Sequence, residues 1–132
     1  LNDVKLKTIP PALFVRLNHL KVLRLQGNIL NAPCQDIKNL PVLEELYIGG
    51  NPFKKLSTNC FDNVAQLRVF EASSCLQLEL LEPFAFASTP NIEDVVMDHG
   101  PLLTDFSPDV FGNLSRLTQL GLAGCSLSIL SP

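Results

Sequence analysis

Cysteine and histidine are the residues of this sequence whose chemistry could build a metal site. The chain holds four cysteines, Cys34, Cys60, Cys75 and Cys125, and two histidines. Structural zinc sites take their thiolate ligands from closely spaced pairs of the CxxC type, and no two of these cysteines have that spacing. The sequence therefore predicts no zinc site, and nothing in it indicates another metal or a cofactor.

One histidine has acidic residues beside it. His99 follows Asp98, and Asp94 lies in the same segment. A catalytic histidine needs a nucleophile within hydrogen-bonding reach, and no serine or cysteine is placed to face His99. We therefore expect a binding or solvent-facing role for His99, and we expect that the chain is not an enzyme.

Composition narrows the function further. The 132 residues are 46% hydrophobic and 17% charged, which excludes a disordered chain, and the net charge of −3 provides no basic field for nucleic acid. No apolar run approaches the roughly 18 residues that would predict insertion into a membrane. Leu1–Lys7 alternates charged and apolar residues, unlike a signal peptide, so we expect a mature protein or an excised part of one.

The strongest signal is an internal repeat of the form LxxLxLxxNxL. Repeats start at residues 20, 43, 67, 92 and 117. Leu1–His19 fits the second part of an earlier repeat, and the last repeat stops at Leu130–Pro132. Residues that match the pattern in the first full repeat are Leu20, Leu23, Leu25, Asn28 and Leu30. Since no such repeat buries its apolar face alone, the pattern predicts one stacked domain over residues 1–132.

The pattern also predicts where the strands lie. Short parallel strands should begin near residues 22, 45, 69, 94 and 119, because LxxLxL places its apolar residues on one face. The second half of each repeat should return along the other side through turns and single helical turns. The prediction is an α/β solenoid in which five residues form one buried column: Leu23, Leu46, Phe70, Val95 and Leu120.

Two repeats depart from the pattern at the ninth position. Repeats 67–91 and 92–116 each hold one extra residue after it, and that position reads Val4, Asn28, Asn51, Cys75, Gly100 and Cys125 along the chain. Asparagine there should satisfy backbone groups of the turn. We expect structural roles for Asn28 and Asn51, and structural free thiols at the two cysteines. For Cys34 and Cys60, two separate thiols are the default, and a disulfide between adjacent repeats is the alternative.

These repeats resemble the leucine-rich-repeat family over the whole chain. Repeats of about 24 residues with phenylalanine in their second half are similar to the extracellular class of animals, including Toll-type and glycoprotein-hormone receptors. The resemblance implies a horseshoe with a concave parallel sheet, a location outside the cell or at its surface, and a role in receptor binding and signalling. Members usually carry cysteine-rich caps, and none is visible, so we expect a fragment of a longer ectodomain or one end of an assembly.

The concave face is the predicted binding surface. Its candidate residues are Arg24, Glu45, Tyr47, Glu71, Asp94, Val96, Asp98 and His99. Tyrosine and arginine are frequent binding anchors, and the acidic band favours a basic protein or peptide ligand. The alternative is a solvated strand face that binds no partner.

Two functions remain open at this point. One is a non-catalytic protein-binding module of a secreted or cell-surface receptor. The other is a structural or dimerising segment, which would associate through its uncapped ends while another part of the protein recognises the ligand. Asn113-Leu114-Ser115 is an N-glycosylation sequon, and a secreted protein could carry a glycan there.

Overall fold

The chain folds into a solenoid, and two parallel β-sheets extend along its successive repeats. The computed structural model describes residues 2–16, 18–37, 40–112 and 114–127. The main sheet contains five strands in sequence order, β1 (Val22–Arg24), β2 (Glu45–Tyr47), β4 (Val69–Glu71), β6 (Asp94–Val96) and β7 (Gln119–Gly121). All four pairings are parallel, and the strands begin where the repeats predict them.

The register of the main sheet places equivalent residues of successive repeats side by side. Leu23 pairs with Leu46, Leu46 with Phe70, Phe70 with Val95, and Val95 with Leu120. The first four are buried, whereas Leu120 is 41% exposed. The prediction of a fully buried column is therefore wrong at Leu120, because in the described part of the chain no strand covers the far side of β7.

The opposite side of the solenoid is built from turns and short elements. Helices α1 (Pro11–Arg16) and α2 (Pro33–Asp36) and a 3-10 helix at Pro108–Val110 are the helical segments of the described residues. Strands β3 (Lys55–Leu56) and β5 (Leu80–Leu81) form a second parallel sheet. The repeats predict the turns and single helical turns, but not this second sheet.

Stacked phenylalanines fill the core between the two sides. The rings of Phe61 and Phe86 stack with centroids 4.9 Å apart, and Phe86 stacks on Phe111 at 5.5 Å. Phe70, on the main sheet, meets both Phe61 and Phe86 edge to face. These rings connect three successive repeats, so burial in one repeat depends on its neighbours.

The first segment fits the repeat less well. Val4 aligns with the ninth position of the other repeats, but its side chain is 57% exposed. The backbone still joins the stack, because the N–H groups of Val4 and Leu6 both donate to the side-chain oxygen of Asn28. Alignment with the repeat therefore locates the backbone of this segment but not the burial of Val4.

Candidate functional site

The solvent-facing side of the main sheet, here called the outer face, is the concave face of a leucine-rich-repeat fold. Tyr47 lies on this face at β2, the second of the five strands. The register places Arg24 on one side of Tyr47 and Glu71 on the other. The Arg24 guanidinium lies over the Tyr47 ring, 4.3 Å from its centroid. The Tyr47 hydroxyl donates a 2.6 Å hydrogen bond to the carboxylate of Glu45. Cation–π and hydrogen-bond contacts thus hold the ring from two sides.

The hydrogen bond to Glu45 raises the pKa of Tyr47 above its ordinary value of 10.0, and desolvation adds to the shift. Loss of the proton would remove the donated bond and place two negative charges together. Tyr47 is therefore a neutral, half-buried aromatic residue with a fixed orientation.

Arg68 also lies on this face, although the sequence analysis does not count it among the candidate binding residues. Its guanidinium lies 2.9 Å from Glu93, 3.5 Å from Glu44 and 3.8 Å from Glu45, and Lys21 lies 3.7 Å from Glu44. The contacts with Glu93 and Glu44 raise the pKa of Arg68. The sequence contains a signal for this cluster of charges, because its members occupy the second position of four successive repeats: Lys21, Glu44, Arg68 and Glu93.

Two acidic residues of the predicted band accept hydrogen bonds from backbone N–H groups of the fold. One carboxylate oxygen of Glu71 accepts a 2.8 Å hydrogen bond from the backbone N–H of Ser73. One oxygen of Asp98 accepts a 2.9 Å bond from the N–H of Ala123, in the next repeat. Asp98 is therefore not the free solvent-facing acid that its position predicts, because it caps a turn.

Asp94 and Val96 lie beside each other on β6. Both side chains are half-buried. Asp94 pairs in register with Val69 and Gln119. No ion pair or side-chain hydrogen bond joins the Asp94 carboxylate to the residues that the structure describes. Asp94 is therefore the acid of this face whose charge the fold leaves available.

His99 is exposed and has an unusual backbone. Its φ is +59°, and its N–H donates to the Ala123 carbonyl at 2.6 Å. The same position of the other repeats is Gly27, Gly50, Ser74 and Gly124, all with positive φ. The repeat thus requires a left-handed residue here, and His99 and Ser74 adopt this conformation at a cost that glycine avoids.

The ninth position forms a buried ladder of polar side chains. The Asn51 amide donates to the carbonyls of Leu25 at 2.9 Å and Ile48 at 2.8 Å, while its oxygen accepts from the N–H of Leu30. Asn28 makes the corresponding contacts one repeat earlier, where its amide donates to Leu25. Both side chains join adjacent repeats.

Cysteine continues this ladder with weaker bonds. Cys75 and Cys125 are free thiols, and they contact the carbonyls of Ile48 at 3.7 Å and Met97 at 3.2 Å. Burial raises the pKa of the Cys75 thiol to about 11, so the thiol stays protonated and unreactive at neutral pH. Gly100, between them, has no side chain to contribute.

Cys34 and Cys60 form a disulfide, so the default interpretation of two separate thiols is wrong. Their Cα atoms are 4.8 Å apart. The alternative of a disulfide between adjacent repeats is the correct one, although the two cysteines differ by three positions within the repeat. The short helix α2, which contains Cys34, places it opposite the turn that follows β3 and so compensates for this offset.

Neither a metal centre nor a membrane-spanning helix appears in the part of the chain that the structure describes. No three histidine, cysteine, aspartate or glutamate side chains there come together as metal ligands. No helix there has both the length and the apolar character that crossing a bilayer requires. The glycosylation candidate Asn113 lies outside the described residues.

No protein-family model matches the chain. Mouse Tsukushi is 29% identical to it over 108 residues, which are 82% of this chain and 30% of Tsukushi. The chain therefore spans less than a third of this curated relative.

Two solved structures share the fold. An internalin from Listeria monocytogenes superposes with a TM-score of 0.72 at 18% identity, over 92% of this chain and 34% of the internalin. The Drosophila Toll–Spätzle complex gives a TM-score of 0.65 at 17% identity, over 96% of this chain and 20% of the matched one. From its repeats and these likenesses, the chain has the leucine-rich-repeat fold and is similar to leucine-rich-repeat proteins, Toll-type ectodomains among them.

Proposed function

We propose that the chain is a protein-binding module of a secreted or cell-surface leucine-rich-repeat protein, and that it engages a protein ligand through the outer face of its main sheet. Tsukushi, internalins and Toll are leucine-rich-repeat proteins of the protein-interaction kind. The solved Toll structure is a complex with Spätzle, which gives a precedent for a protein ligand on this fold.

The observation that carries the proposal is the fixed position of Tyr47. A tyrosine that is already oriented loses little conformational entropy when a partner covers it, so more of its contact energy contributes to affinity. Arg24 and Glu45 provide that orientation from the neighbouring strand and from the same strand. Tyr47 is also the only tyrosine of the chain.

The distribution of charge on the outer face favours a ligand that carries a basic group near β6. Arg68 lies among the carboxylates of Glu44, Glu45 and Glu93 and offsets part of their charge. Asp94, on β6, has no such partner among the described residues. A basic side chain of the ligand would therefore gain most beside Asp94, where Val96 and His99 complete the contact surface.

An extracellular location agrees with the covalent structure. Disulfides such as Cys34–Cys60 persist in oxidising compartments and are rare in the cytosol. Tsukushi is a secreted protein and Toll is a cell-surface receptor. A glycan at Asn113 would be consistent with the same route.

The experiment is a binding screen followed by kinetics. The purified chain is used to probe an array of extracellular proteins, and dissociation and association rates are measured for each binder. Tyr47→Ala should weaken binding about tenfold or more, mainly through faster dissociation, as expected for a binding anchor. Asp94→Asn should slow association with a basic ligand, and added salt should reduce the difference.

Gln66→Ala is the matched control, because Gln66 is exposed and lies outside the main sheet. It should bind like the parent chain. If Tyr47→Ala and Asp94→Asn both leave the kinetics unchanged, the outer face is not the interface. The structural or dimerising alternative would then explain the repeats better.

A further inference from the structure

A second, apolar surface lies beside the main sheet, where the chain leaves each strand. Its residues are Ile29, Pro52 and Leu76, which directly follow the ninth positions Asn28, Asn51 and Cys75. Ile29 is 37% exposed and Leu76 is 59% exposed. The three line an open groove with a volume of ≈ 380 Å³. We call this surface the lateral groove.

The buried side-chain amide under the lateral groove, that of Asn51, is committed to the fold. Asn51 uses its amide on the Leu25 and Ile48 carbonyls and its oxygen on the N–H of Leu30. The surface that remains is mainly apolar, so an apolar side chain suits it better than a polar one. Adjacent repeats lie about 4.8 Å apart, so three repeats extend the surface over roughly 10 Å, enough for a short peptide segment.

Basic residues lie at one end of this surface. A neighbouring depression of ≈ 340 Å³ shares Pro52 with the lateral groove and is lined by Lys54, Lys55 and Glu79. Both lysines are exposed, and no carboxylate of the described residues forms an ion pair with either. Positive charge therefore exceeds negative charge at this end, in contrast to the acidic side chains of the outer face.

We propose that the lateral groove binds an extended, acidic peptide segment of a protein partner. An aliphatic side chain of the segment fills the groove between Ile29 and Leu76, and an adjacent carboxylate contacts Lys54 and Lys55. Burial of the aliphatic group supplies affinity, and the charge complementarity sets direction and excludes basic segments. This surface is distinct from the outer face and calls for a ligand of opposite charge.

A peptide selection tests the proposal directly. A phage-displayed library of random short peptides is selected against the whole chain, and an enriched peptide is synthesised for affinity measurements. Enriched sequences should combine aliphatic residues with aspartate or glutamate. Leu76→Ser should weaken binding of that peptide about tenfold, and Lys54→Glu with Lys55→Glu should weaken it by a similar factor. Ile29→Ser is a second groove variant, should Leu76→Ser lose its cooperative unfolding transition.

Two control variants separate this site from the proposed function. Val22→Ser removes a side chain that is 39% exposed on the outer face, and Tyr47→Ala removes the anchor of that face. Both should bind the peptide like the parent chain. Failure of the screen for an outer-face ligand would leave these peptide results intact.

Three outcomes would overturn the proposal. The selection could enrich no peptides, or basic ones. The enriched peptide could lose affinity with Val22→Ser or Tyr47→Ala but keep it with Leu76→Ser. Sedimentation could show a dimer that Leu76→Ser abolishes, in which case a second copy of this chain covers the groove.

Discussion

The side chain of Asn51 donates a hydrogen bond to the backbone carbonyl of Leu25, 2.9 Å away in the preceding repeat. Asn51 is 1% exposed, so water cannot replace this bond. Since the same amide also reaches Ile48 in its own repeat, one side chain ties two repeats together.

Asn51→Ala should destabilise the chain by about 2 kcal/mol, because it leaves the N–H of Leu30 buried without a partner and removes a hydrogen bond from each of the Leu25 and Ile48 carbonyls. Urea denaturation measures the loss. Cys75→Ala, one repeat further, removes only a long thiol contact and should cost less. An equal loss in the two variants would mean that the cost comes from the empty volume and not from the hydrogen bonds.

Two buried glycines, Gly49 and Gly100, differ in the space that a side chain would find around them. An added Cβ on Gly49 would lie 2.6 Å from the Ser73 carbonyl oxygen, whereas one on Gly100 would meet its nearest atom at 3.7 Å. Gly100 has no positive φ. Gly100→Ala should therefore stabilise the chain by about 0.5–1 kcal/mol through the lower entropy of the unfolded state, and Gly49→Ala should destabilise it. Thermal unfolding of both variants tests this expectation. A melting temperature of Gly100→Ala below that of the parent chain would contradict it.

The repeat predicts the fold well because its signal is local and recurs. Five strands begin at the predicted residues, since each LxxLxL segment has only one face that can be buried. The second sheet was missed because Lys55–Leu56 and Leu80–Leu81 are too short to show an alternating pattern.

The candidate site was predicted less completely, because it depends on contacts between repeats. The sequence places Tyr47 and Arg24 on one face, but the cation–π contact depends on side-chain orientation. The repeat pattern predicts a solvent-facing Asp98 and does not indicate that the N–H of Ala123, in the next repeat, donates a hydrogen bond to it. The Cys34–Cys60 disulfide depends on the path of α2, which the repeat pattern does not determine.

His99 should be a residue that costs stability. His99→Gly should stabilise the chain by about 0.5–1 kcal/mol, because glycine tolerates the φ of +59° that histidine adopts under strain. His19→Gly is the control, since His19 lies in a turn without positive φ and should gain nothing. Equilibrium unfolding compares the two, and equal effects would show that backbone strain at His99 is not the cause.

Asp36 should make stability depend on pH. Burial raises its pKa, although its carboxylate accepts a bond from the N–H of Ile9, and its second oxygen has no hydrogen-bond partner. A raised folded-state pKa means that the native state prefers the protonated form. Its contribution to stability is full below the unfolded-state pKa and is lost as pH rises through the folded-state pKa.

Asp36→Asn should therefore stabilise the chain at pH 7 and show little or no gain at pH 3, since the amide keeps an acceptor for Ile9 and carries no charge. Unfolding free energies at the two pH values measure the difference. Asp109→Asn, at an exposed carboxylate, controls for the change in net charge. A gain that is the same at both pH values would assign the effect to packing instead of ionisation.

The Cys34–Cys60 disulfide should contribute a large share of the stability of the first repeats. It closes a segment with a sequence separation of 26, and a crosslink of this length restricts the unfolded chain by roughly 3 kcal/mol. Cys34→Ser with Cys60→Ser should lower the unfolding free energy by about that amount. A reducing agent should produce the same loss in the parent chain and none in the double variant. Cys125→Ser is the control, because Cys125 is a free thiol and its replacement leaves the crosslink intact. If reduction does not destabilise the parent chain, the packing of α2 against the turn after β3 holds these repeats together without the covalent bond.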